Sequence, residues 1–346
     1  LEIKQSLFTR LDTVRKKGSI VTSNTSGIPL RDICQGQSTA MNADIAVTHF
    51  FNPVHIMRLL ELVPGEHTDP EVIQTLADFF SGKLNKGVVY AKDTVNFIGN
   101  RIGCFWILAG LHKGIKAQRN GLTMETIDAL LSKPIGLPPT GLYGLVDLIG
   151  LDIMDHVSAN LRGNLPPKDA CYAYLDFPPA EQKMMAEGQL GRKSGGGYYR
   201  LDRHDDGSKT LNVFDLDGSK WREAEPTSQS TGQADYRSLM LDESDEGRFV
   251  WALMSETLCY AADLVPDIAD DIVNIDRAMR WGFNWTEGPF EMIDGIGATV
   301  FAEKLMNENR SIPKMLAKLL DSGASSFYRD DTFFNVNGDY VSIPAQ

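Results

Sequence analysis

The sequence is long enough for more than one domain, since a single hydrophobic core rarely grows beyond ~250 to 300 residues and this chain has 346. Its composition, with 42% hydrophobic and 23% charged residues, excludes disordered, collagen-like and disulfide-scaffold proteins. Because 34 basic residues are outnumbered by 46 acidic ones, the net charge of −12 argues against a nucleic-acid partner and against an anionic membrane surface.

The four cysteines lack the C-x-x-C spacing of zinc sites, and no cluster of other metal-binding residues accompanies them. We therefore expect no metal, no disulfide framework and a cytoplasmic location. The longest apolar stretch, 102–111, has about half of the ~20 residues that a membrane-spanning helix needs. The first residues include no initiator Met and no signal peptide, so we expect a chain cut from a longer one.

The first 94 residues predict an α/β layer. Apolar residues at helical spacing predict a helix over 2–17, which ends at Gly18, and a second helix over 69–84. Short runs of mainly apolar and β-branched residues predict four strands, over 19–23, 47–51, 58–63 and 87–91. Four strands are fewer than the six of a complete doubly wound sheet, and we expect the others to lie upstream.

The remainder predicts an all-α region with a β-rich insertion. Apolar periodicity predicts helices over 97–116, 124–133 and 144–161. Turn glycines between β-prone pieces at 197–201 and 210–214 predict a hairpin. A polar, linker-like stretch follows at 226–235, and the helical pattern resumes near Glu246.

The helical region contains an internal repeat with a shift of about 147 residues. Residues 140–150 align with 287–297, which places Asp147 over Asp294, and Asp128 falls over Asp276. The repeat predicts two related helical domains in tandem. Each has an apolar face that the other can cover, as in an internal pseudo-dimer.

One histidine and one glutamate form a candidate acid–base pair. His49 ends a predicted strand, and Glu61 lies in the next apolar run, where a carboxylate is costly unless it is paired. An imidazole held by a carboxylate keeps one tautomer and is stabilised as the cation, as a general base for an alcohol proton requires. The spacing alone leaves open that His49 is a structural or an exposed histidine.

Four motifs, taken in order, resemble the 3-hydroxyacyl-CoA dehydrogenases of fatty-acid β-oxidation. They are Ser-Asn-Thr-Ser at 23–26, His-Phe-Phe-Asn-Pro at 49–53 with Glu61, Phe-Ile-Gly-Asn-Arg at 97–101, and Gly-Arg-Lys-Ser-Gly-Gly-Gly-Tyr-Tyr at 191–199. The resemblance covers residues 1 to about 200, and the helical repeat extends it to about 310. Tandem helical domains are similar to the long bacterial forms and to multifunctional β-oxidation proteins, and differ from the short mitochondrial dimer.

The resemblance implies an α/β plus all-α fold: the C-terminal part of a Rossmann-type dinucleotide-binding domain, then two helical domains like the C-terminal domain of 6-phosphogluconate dehydrogenase. The expected domains are a partial NAD-binding domain at 1–94, a first helical domain at 95–200, a hairpin insertion and linker at 201–240, a second helical repeat at 241–325 and a C-terminal hairpin at 326–346. In long bacterial relatives this hairpin resembles the junction to an enoyl-CoA hydratase-like domain. The second repeat has no counterpart of His49 and is expected to be a scaffold.

Carried over residue by residue, the resemblance implies that His49 is the catalytic base and that Glu61 orients it. Ser26 and Asn100 match residues that bind the reacting end of the substrate, and Ser26 also lies near the nicotinamide ribose. The other implied NAD contacts are Lys4, Asn52 and Lys193. The implied reaction moves a hydride from C3 of a 3-hydroxyacyl-CoA to NAD and gives a 3-ketoacyl-CoA.

Each of these residues also has a purely structural interpretation. Ser26 could satisfy a backbone group at a strand end, Asn100 could bond its own helix terminus, and Lys193 could be a solvated charge in a glycine-rich turn. No G-x-G-x-x-G stands between a strand and a helix, and Gly295-Ile296-Gly297 lies in helical context without a third glycine. We therefore expect this chain to bind NAD poorly.

Two rival functions remain open from the sequence. One is another hydroxyacid dehydrogenase of the same plan, such as the 6-phosphogluconate type; those enzymes generally use a lysine base, which the pairing of His49 with Glu61 argues against. The other is a non-catalytic module, in which the helical repeats serve assembly or acyl-CoA binding.

Overall fold

A computed structural model describes residues 1–227 and 236–345. They form two compact units: Leu1–Ile102 with Leu258–Gln346, and Gly103–Thr257. Within the described residues, no helix combines the length and hydrophobicity that crossing a bilayer requires. Part of the predicted linker, 228–235, lies outside the described residues.

The first unit contains the predicted four-stranded sheet. Its strands lie in the order β1-β2-β3-β4, with β2 antiparallel to β3 and the other two pairs parallel. The strands are β1 Val21–Ser23, β2 Ile45–Phe50, β3 Leu59–Pro64 and β4 Gly87–Tyr90. The central strands β2 and β3 are buried along almost their whole length, which explains why they consist of continuous apolar runs.

Four helices accompany this sheet in the first 94 residues. They are α1 Glu2–Val14, α2 Leu30–Cys34, α3 Thr39–Asp44 and α4 Pro70–Leu84. Helix α4 packs against the sheet, with Leu76 and Ala77 against Ala46 and Leu62. The predicted first helix was too long by three residues, because the backbone becomes extended at Arg15, whose side chain binds Asp44 at 2.6 Å.

The second unit is helical with one β-sheet. Its helices are α5 Gly99–Arg119, α6 Met124–Leu130, α7 Tyr143–Ile149, α8 Leu151–Asn164, α9 Pro179–Ala186, α10 Tyr236–Leu241 and α11 Asp245–Asp263; the first few residues of α5 and the last few of α11 belong to the first unit. The helix predicted over 144–161 is divided at Gly150, whose φ of 102° strongly disfavours any other residue. The predicted hairpin has a third strand, so that β5 Tyr199–Arg203, β6 Lys209–Asp215 and β7 Lys220–Glu223 form an antiparallel sheet.

From Leu258 onward, the second helical repeat belongs to the first unit, together with the sheet β1 to β4; its first residues, 241–257, belong to the second unit. Its remaining elements are α12 Ile272–Gly282, α13 Pro289–Ile296, α14 Ala298–Asn307, α15 Lys314–Asp321, β8 Tyr328–Arg329, β9 Thr332–Phe334 and β10 Tyr340–Ser342. The predicted C-terminal hairpin is confirmed, with β9 antiparallel to β10 and Gly338 at φ 96° in the turn. Helix α12 contacts the sheet, where Asn274 accepts the N–H of Tyr90 at 2.8 Å.

Hydrogen bonds confirm the internal repeat. The two carboxylate oxygens of Asp147 accept the N–H groups of Tyr198 and Tyr199, both at 2.8 Å. The two oxygens of Asp294 accept those of Phe327 and Tyr328 at 2.7 and 2.8 Å.

The other aligned aspartates match in the same way. Asp128 accepts the hydroxyl of Tyr199 at 2.9 Å, and Asp276 accepts that of Tyr328 at 2.7 Å. The structural equivalence therefore extends past the aligned segments to Tyr199 and Tyr328, so that each repeat ends in a tyrosine-anchored strand.

Replacing Asp294 with asparagine is expected to destabilise the second repeat. An amide has one oxygen, so one of the two backbone N–H groups would face another donor, at a cost of about 1 to 3 kcal/mol in the free energy of unfolding. Denaturant unfolding measures this cost. We expect Asp147→Asn to lower the free energy of unfolding by a similar amount. Asp330→Asn, in a turn at φ 52° that asparagine tolerates, is the control; equal midpoints for all variants would contradict the expectation.

This cost should depend on pH. Burial raises the pKa of Asp294 to about 6, although the two N–H donors act in the opposite direction. A raised pKa in the folded state gives stability that is present at low pH and is lost as the pH rises through about 6. Since asparagine does not titrate, the stability difference between the wild type and Asp294→Asn should narrow across this range.

Candidate functional site

The antiparallel register of two strands places His49 opposite Glu61. His49 and Glu61, twelve residues apart in the sequence, are directly paired across β2 and β3, so both side chains lie on the same face of the sheet. His49 Nδ1 lies 2.6 Å from Glu61 Oε2, with His49 3% exposed and Glu61 fully buried. The two side chains therefore form a desolvated pair.

Backbone donors hold the second oxygen of Glu61. Oε1 accepts the N–H groups of Ile98 and Gly99, at 3.0 and 2.8 Å. Gly99 is the first residue of α5, where backbone N–H groups lack partners within the helix and the helix dipole favours a negative charge. Three donors thus compensate the buried carboxylate. Sequence reasoning missed Ile98 and Gly99 in this role, because backbone groups have no sequence signature.

Ser26 lies on the other side of the imidazole, with Oγ 2.9 Å from His49 Nε2. The parallel strands β1 and β2 end at the same edge of the sheet, and Asn24 Oδ1 accepts the N–H of Phe50 at 3.0 Å. An ionised Glu61 carboxylate only accepts hydrogen bonds, so Nδ1 carries the imidazole proton. In the neutral imidazole, Nε2 is then the acceptor, and the Ser26 hydroxyl donates to it.

Two aromatic rings enclose the imidazole. The ring centroid of Phe51 lies 4.9 Å from that of His49 in an edge-on arrangement, and the centroid of Phe97 lies 5.5 Å away. Phe97 has a φ of 50°, an uncommon conformation for a bulky residue. Both phenylalanines stood in the predicted motifs, but neither was assigned a role; their rings pack against His49, which is only 3% exposed.

A buried arginine connects the second repeat to the start of α5. Arg101 is 2% exposed, and its Nε donates to the hydroxyl of Tyr260 at 2.6 Å. Its Nη1 lies 3.4 Å from the carbonyl oxygen of Val95, in the loop that leads to Ile98. Arg101 therefore helps to fix the backbone that binds Glu61.

The remaining predicted site residues are Asn100, Asn52, Lys4 and Lys193, and they lie in different parts of the chain. Asn100 follows Gly99 in the first turn of α5, and Asn52 is exposed just beyond Phe51. Lys4 is half-buried on α1. Lys193 lies in the second unit, where its Nζ donates to Asp152 at 2.7 Å. The structure thus brings Ser26, His49 and Glu61 into direct contact.

A hydrogen-bonded series from serine through imidazole to carboxylate can transfer a proton. Nε2 can accept a proton from a hydroxyl that takes the position of the Ser26 donor, and Glu61 stabilises the resulting imidazolium. The group lies at the carboxyl edge of parallel strands, where open α/β sheets bind nucleotides.

Two family models match adjoining parts of the chain. Residues 1–94 match "3-hydroxyacyl-CoA dehydrogenase, NAD binding domain", and residues 97–201 match "3-hydroxyacyl-CoA dehydrogenase, C-terminal domain". Together they cover more than half of the chain. The chain belongs to the 3-hydroxyacyl-CoA dehydrogenase family. The predicted family, and the α/β plus all-α fold that it implies, are confirmed.

Curated relatives of the 3-hydroxyacyl-CoA dehydrogenase family extend over nearly the whole chain. A Bacillus subtilis protein named "Probable 3-hydroxyacyl-CoA dehydrogenase" is 35% identical over 99% of this chain and 44% of its own length. A Rickettsia felis protein, named as a fatty acid oxidation complex trifunctional enzyme, is 34% identical over 85% of this chain and 40% of its own length. The chain therefore spans less than half the length of these relatives.

A solved structure supports the fold across both helical repeats. The crystal structure of 3-hydroxybutyryl-CoA dehydrogenase from Escherichia coli K12 aligns with a TM-score of 0.67. The alignment covers 93% of this chain and 80% of that one at 21% identity, which is evidence for the fold alone.

Proposed function

We propose that the chain carries the reaction centre of an NAD-dependent (S)-3-hydroxyacyl-CoA dehydrogenase. The observation that supports this most is the contact series from Ser26 through His49 to Glu61, desolvated at the carboxyl edge of parallel strands. The family's NAD-binding model matches the residues that contain this series. A non-catalytic module would have no need for a buried carboxylate held by three donors.

In the proposed reaction, His49 removes the proton of the 3-hydroxyl group. Nε2 accepts this proton while the C3–H electron pair leaves as hydride, so that C3 becomes a carbonyl carbon. Glu61 keeps Nδ1 protonated and stabilises the imidazolium. Ser26 and Asn100 are proposed to orient the oxygen on C3. In the reverse direction, His49 returns the proton.

The residues present fit the nicotinamide end of NAD. Ser26 combines a hydroxyl group with a position beside the imidazole, where a nicotinamide ribose and the substrate could both be bound. NAD supplies the hydride acceptor when it is bound. Ser26, Asn52, Lys4 and Lys193 are proposed as its contacts. The pyrophosphate is normally held by a G-x-G-x-x-G loop, which does not occur in these 346 residues.

This chain is therefore expected to bind NADH weakly. Without the backbone N–H groups of a glycine-rich loop, the dinucleotide loses its main phosphate contacts. Titration of the chain with NADH, followed by cofactor fluorescence, measures the affinity. A dissociation constant in the micromolar range would contradict this expectation.

The proposed function is tested by incubating the native-length protein with acetoacetyl-CoA and NADH. We expect NADH consumption that depends on acetoacetyl-CoA and yields 3-hydroxybutyryl-CoA. 6-Phosphogluconate and short free hydroxyacids, supplied with NAD or NADP, should give no turnover. Turnover of those compounds alone would favour the rival dehydrogenase, and CoA binding without turnover would favour the non-catalytic module.

The domain organisation, the location and the partners that the sequence predicts form part of the same proposal. We propose the domain boundaries 1–94, 95–200, 201–240, 241–325 and 326–346, the pairing of the two repeats as an internal pseudo-dimer, and a cytoplasmic location. The Rickettsia felis relative, named as a trifunctional enzyme, supports association with further β-oxidation activities. We propose that an enoyl-CoA hydratase-like domain supplies one of these activities.

A further inference from the structure

The turn before α5 contains two residues in the left-handed backbone conformation. Asn96 and Phe97 have φ angles of 60° and 50°, and both are buried. This conformation is unfavourable for residues other than glycine, and it persists only where the surrounding structure holds it. The N–H groups of the next two residues are the ones that bind Glu61 Oε1. The geometry of this turn therefore affects the position of the carboxylate that holds His49.

Arg101, in the first turn of α5, holds this turn in place. Its backbone N–H donates to the carbonyl oxygen of Asn96 at 3.2 Å, and its Nη1 lies 3.4 Å from the carbonyl oxygen of Val95. The side chain is 2% exposed, so the guanidinium group is removed from water and depends on acceptors within the protein. A displacement of this guanidinium group would therefore displace the turn.

The second repeat supplies one of these acceptors. The hydroxyl of Tyr260, on α11, accepts the Nε–H of Arg101 at 2.6 Å, and the guanidinium carbon lies 5.9 Å from the centroid of the tyrosine ring. Tyr260 is 5% exposed, and both residues belong to the first unit. A short hydrogen bond between two buried groups, one of them charged, is stronger than the same bond at the surface. It restricts the position of the Arg101 side chain.

The internal repeat indicates that this bond is not a by-product of duplication. At the shift of 147 residues, Arg248 aligns with Arg101, and Lys113 aligns with Tyr260. Arg248 and Lys113 line the same cavity, but both side chains only donate hydrogen bonds, so they cannot form the equivalent bond. Arg248 is exposed and pairs with Asp245 on its own helix. Of the two related positions, only the one next to the reaction centre has the arginine–tyrosine bond.

We propose that Tyr260 is a positioning residue for the acid–base pair, acting through Arg101 on the turn that holds Glu61. This proposal rests on the proposed function, which makes His49 the base. Loss of the tyrosine hydroxyl would release the Nε–H of Arg101, let the turn relax and move the two backbone donors away from Glu61 Oε1. The carboxylate would then align less well with His49 Nδ1. The second repeat therefore contributes to catalysis as well as to the scaffold.

The first test is the kinetics of Tyr260→Phe in the native-length protein. We expect kcat for acetoacetyl-CoA reduction to fall about tenfold, the factor that corresponds to one lost hydrogen bond to a charged group. KM should change little, because the acid–base pair acts mainly in the transition state. The matched control is Tyr328→Phe, which removes a hydroxyl bonded to Asp276 in the same repeat and should leave kcat unchanged. Equal kcat in Tyr260→Phe and the wild type would overturn the proposal.

A second variant tests the route through Arg101. Arg101→Lys keeps the positive charge but lacks the planar fork that reaches both Tyr260 and Val95. We expect it to lower kcat at least as much as Tyr260→Phe, and we expect the double variant to be no slower than Arg101→Lys alone. Two effects that multiply would overturn the route through Arg101. Circular dichroism checks that the variants fold; if Arg101→Lys does not, the resonance of the His49 proton decides.

The proton between His49 and Glu61 gives a readout that does not depend on activity. Its ¹H resonance, assigned by its loss in His49→Ala, reports the bond between Nδ1 and Oε2. We expect it to shift upfield in Tyr260→Phe and to stay in place in Tyr328→Phe. An unshifted resonance would overturn this proposal, while acetoacetyl-CoA reduction by the wild type would still support the dehydrogenase. An inactive wild type would reject the proposed function, and the resonance alone would then show whether Tyr260 positions the pair.

Discussion

A His49→Ala variant of the native-length protein is expected to lose a factor of about 10² to 10⁴ in kcat with acetoacetyl-CoA, the usual contribution of a positioned general acid or base. His49 Nε2 is the atom that gives or takes the substrate proton in this account, and alanine has no group that can replace it. KM should change little, because the imidazole acts mainly in the transition state. Initial rates of NADH oxidation measure both quantities.

The control for this prediction is His55→Ala. His55 lies six residues further along the chain and is exposed. His55→Ala therefore removes a histidine of the same segment but leaves the pair of His49 and Glu61 intact. We expect kcat within about twofold of the wild type, because isolated surface substitutions usually have small effects. Equal activity in the wild type and His49→Ala would disprove the assignment of the base.

Glu61→Gln is expected to lower kcat by about 10²-fold or more, through the imidazole tautomer. The amide oxygen can still accept the N–H groups of Ile98 and Gly99, which leaves its NH₂ group facing His49 Nδ1. Nδ1 must then accept, so the proton moves to Nε2 and the base is lost. The amide also cannot stabilise an imidazolium.

Two measurements distinguish this effect from unfolding. The imidazole ¹⁵N shifts of His49 should show Nδ1 protonated in the wild type and Nε2 protonated in Glu61→Gln. The matched control is Glu66→Gln, an exposed glutamate just after β3, for which we expect wild-type activity. A Glu61→Gln variant with full activity would contradict the proposed role of the carboxylate.

Much of the fold could be predicted because local signals agreed with the tertiary structure. The four strands of the sheet coincide with short apolar runs, and the repeat was visible because aspartates such as Asp147 and Asp294 recur at a fixed shift. The ends of the helices and strands were harder to predict. The end of α1 depends on Arg15 binding Asp44, a contact between residues far apart in the chain. Strand β7, with the polar sequence Lys-Trp-Arg-Glu, was not predicted for lack of an apolar pattern.

The candidate site was predictable where side chains carry the chemistry. Ser26, His49 and Glu61 were recognised from motifs, and the structure places them in contact, while their catalytic roles stay predictions. The donors from Ile98 and Gly99 had no signal in the sequence. The bond from Arg101 to Tyr260 joins residues 159 positions apart and depends on how the second repeat packs.

The central claim is that a hydride moves from C3 of a 3-hydroxyacyl-CoA to NAD at this site. Incubation of the native-length protein with (S)-3-hydroxybutyryl-CoA deuterated at C3, followed by mass spectrometry of the reduced cofactor, tests it most directly. The account predicts one deuterium in the NADH for each acetoacetyl-CoA formed. Acetoacetyl-CoA formed without deuterium in the cofactor, or no product at all, would contradict it.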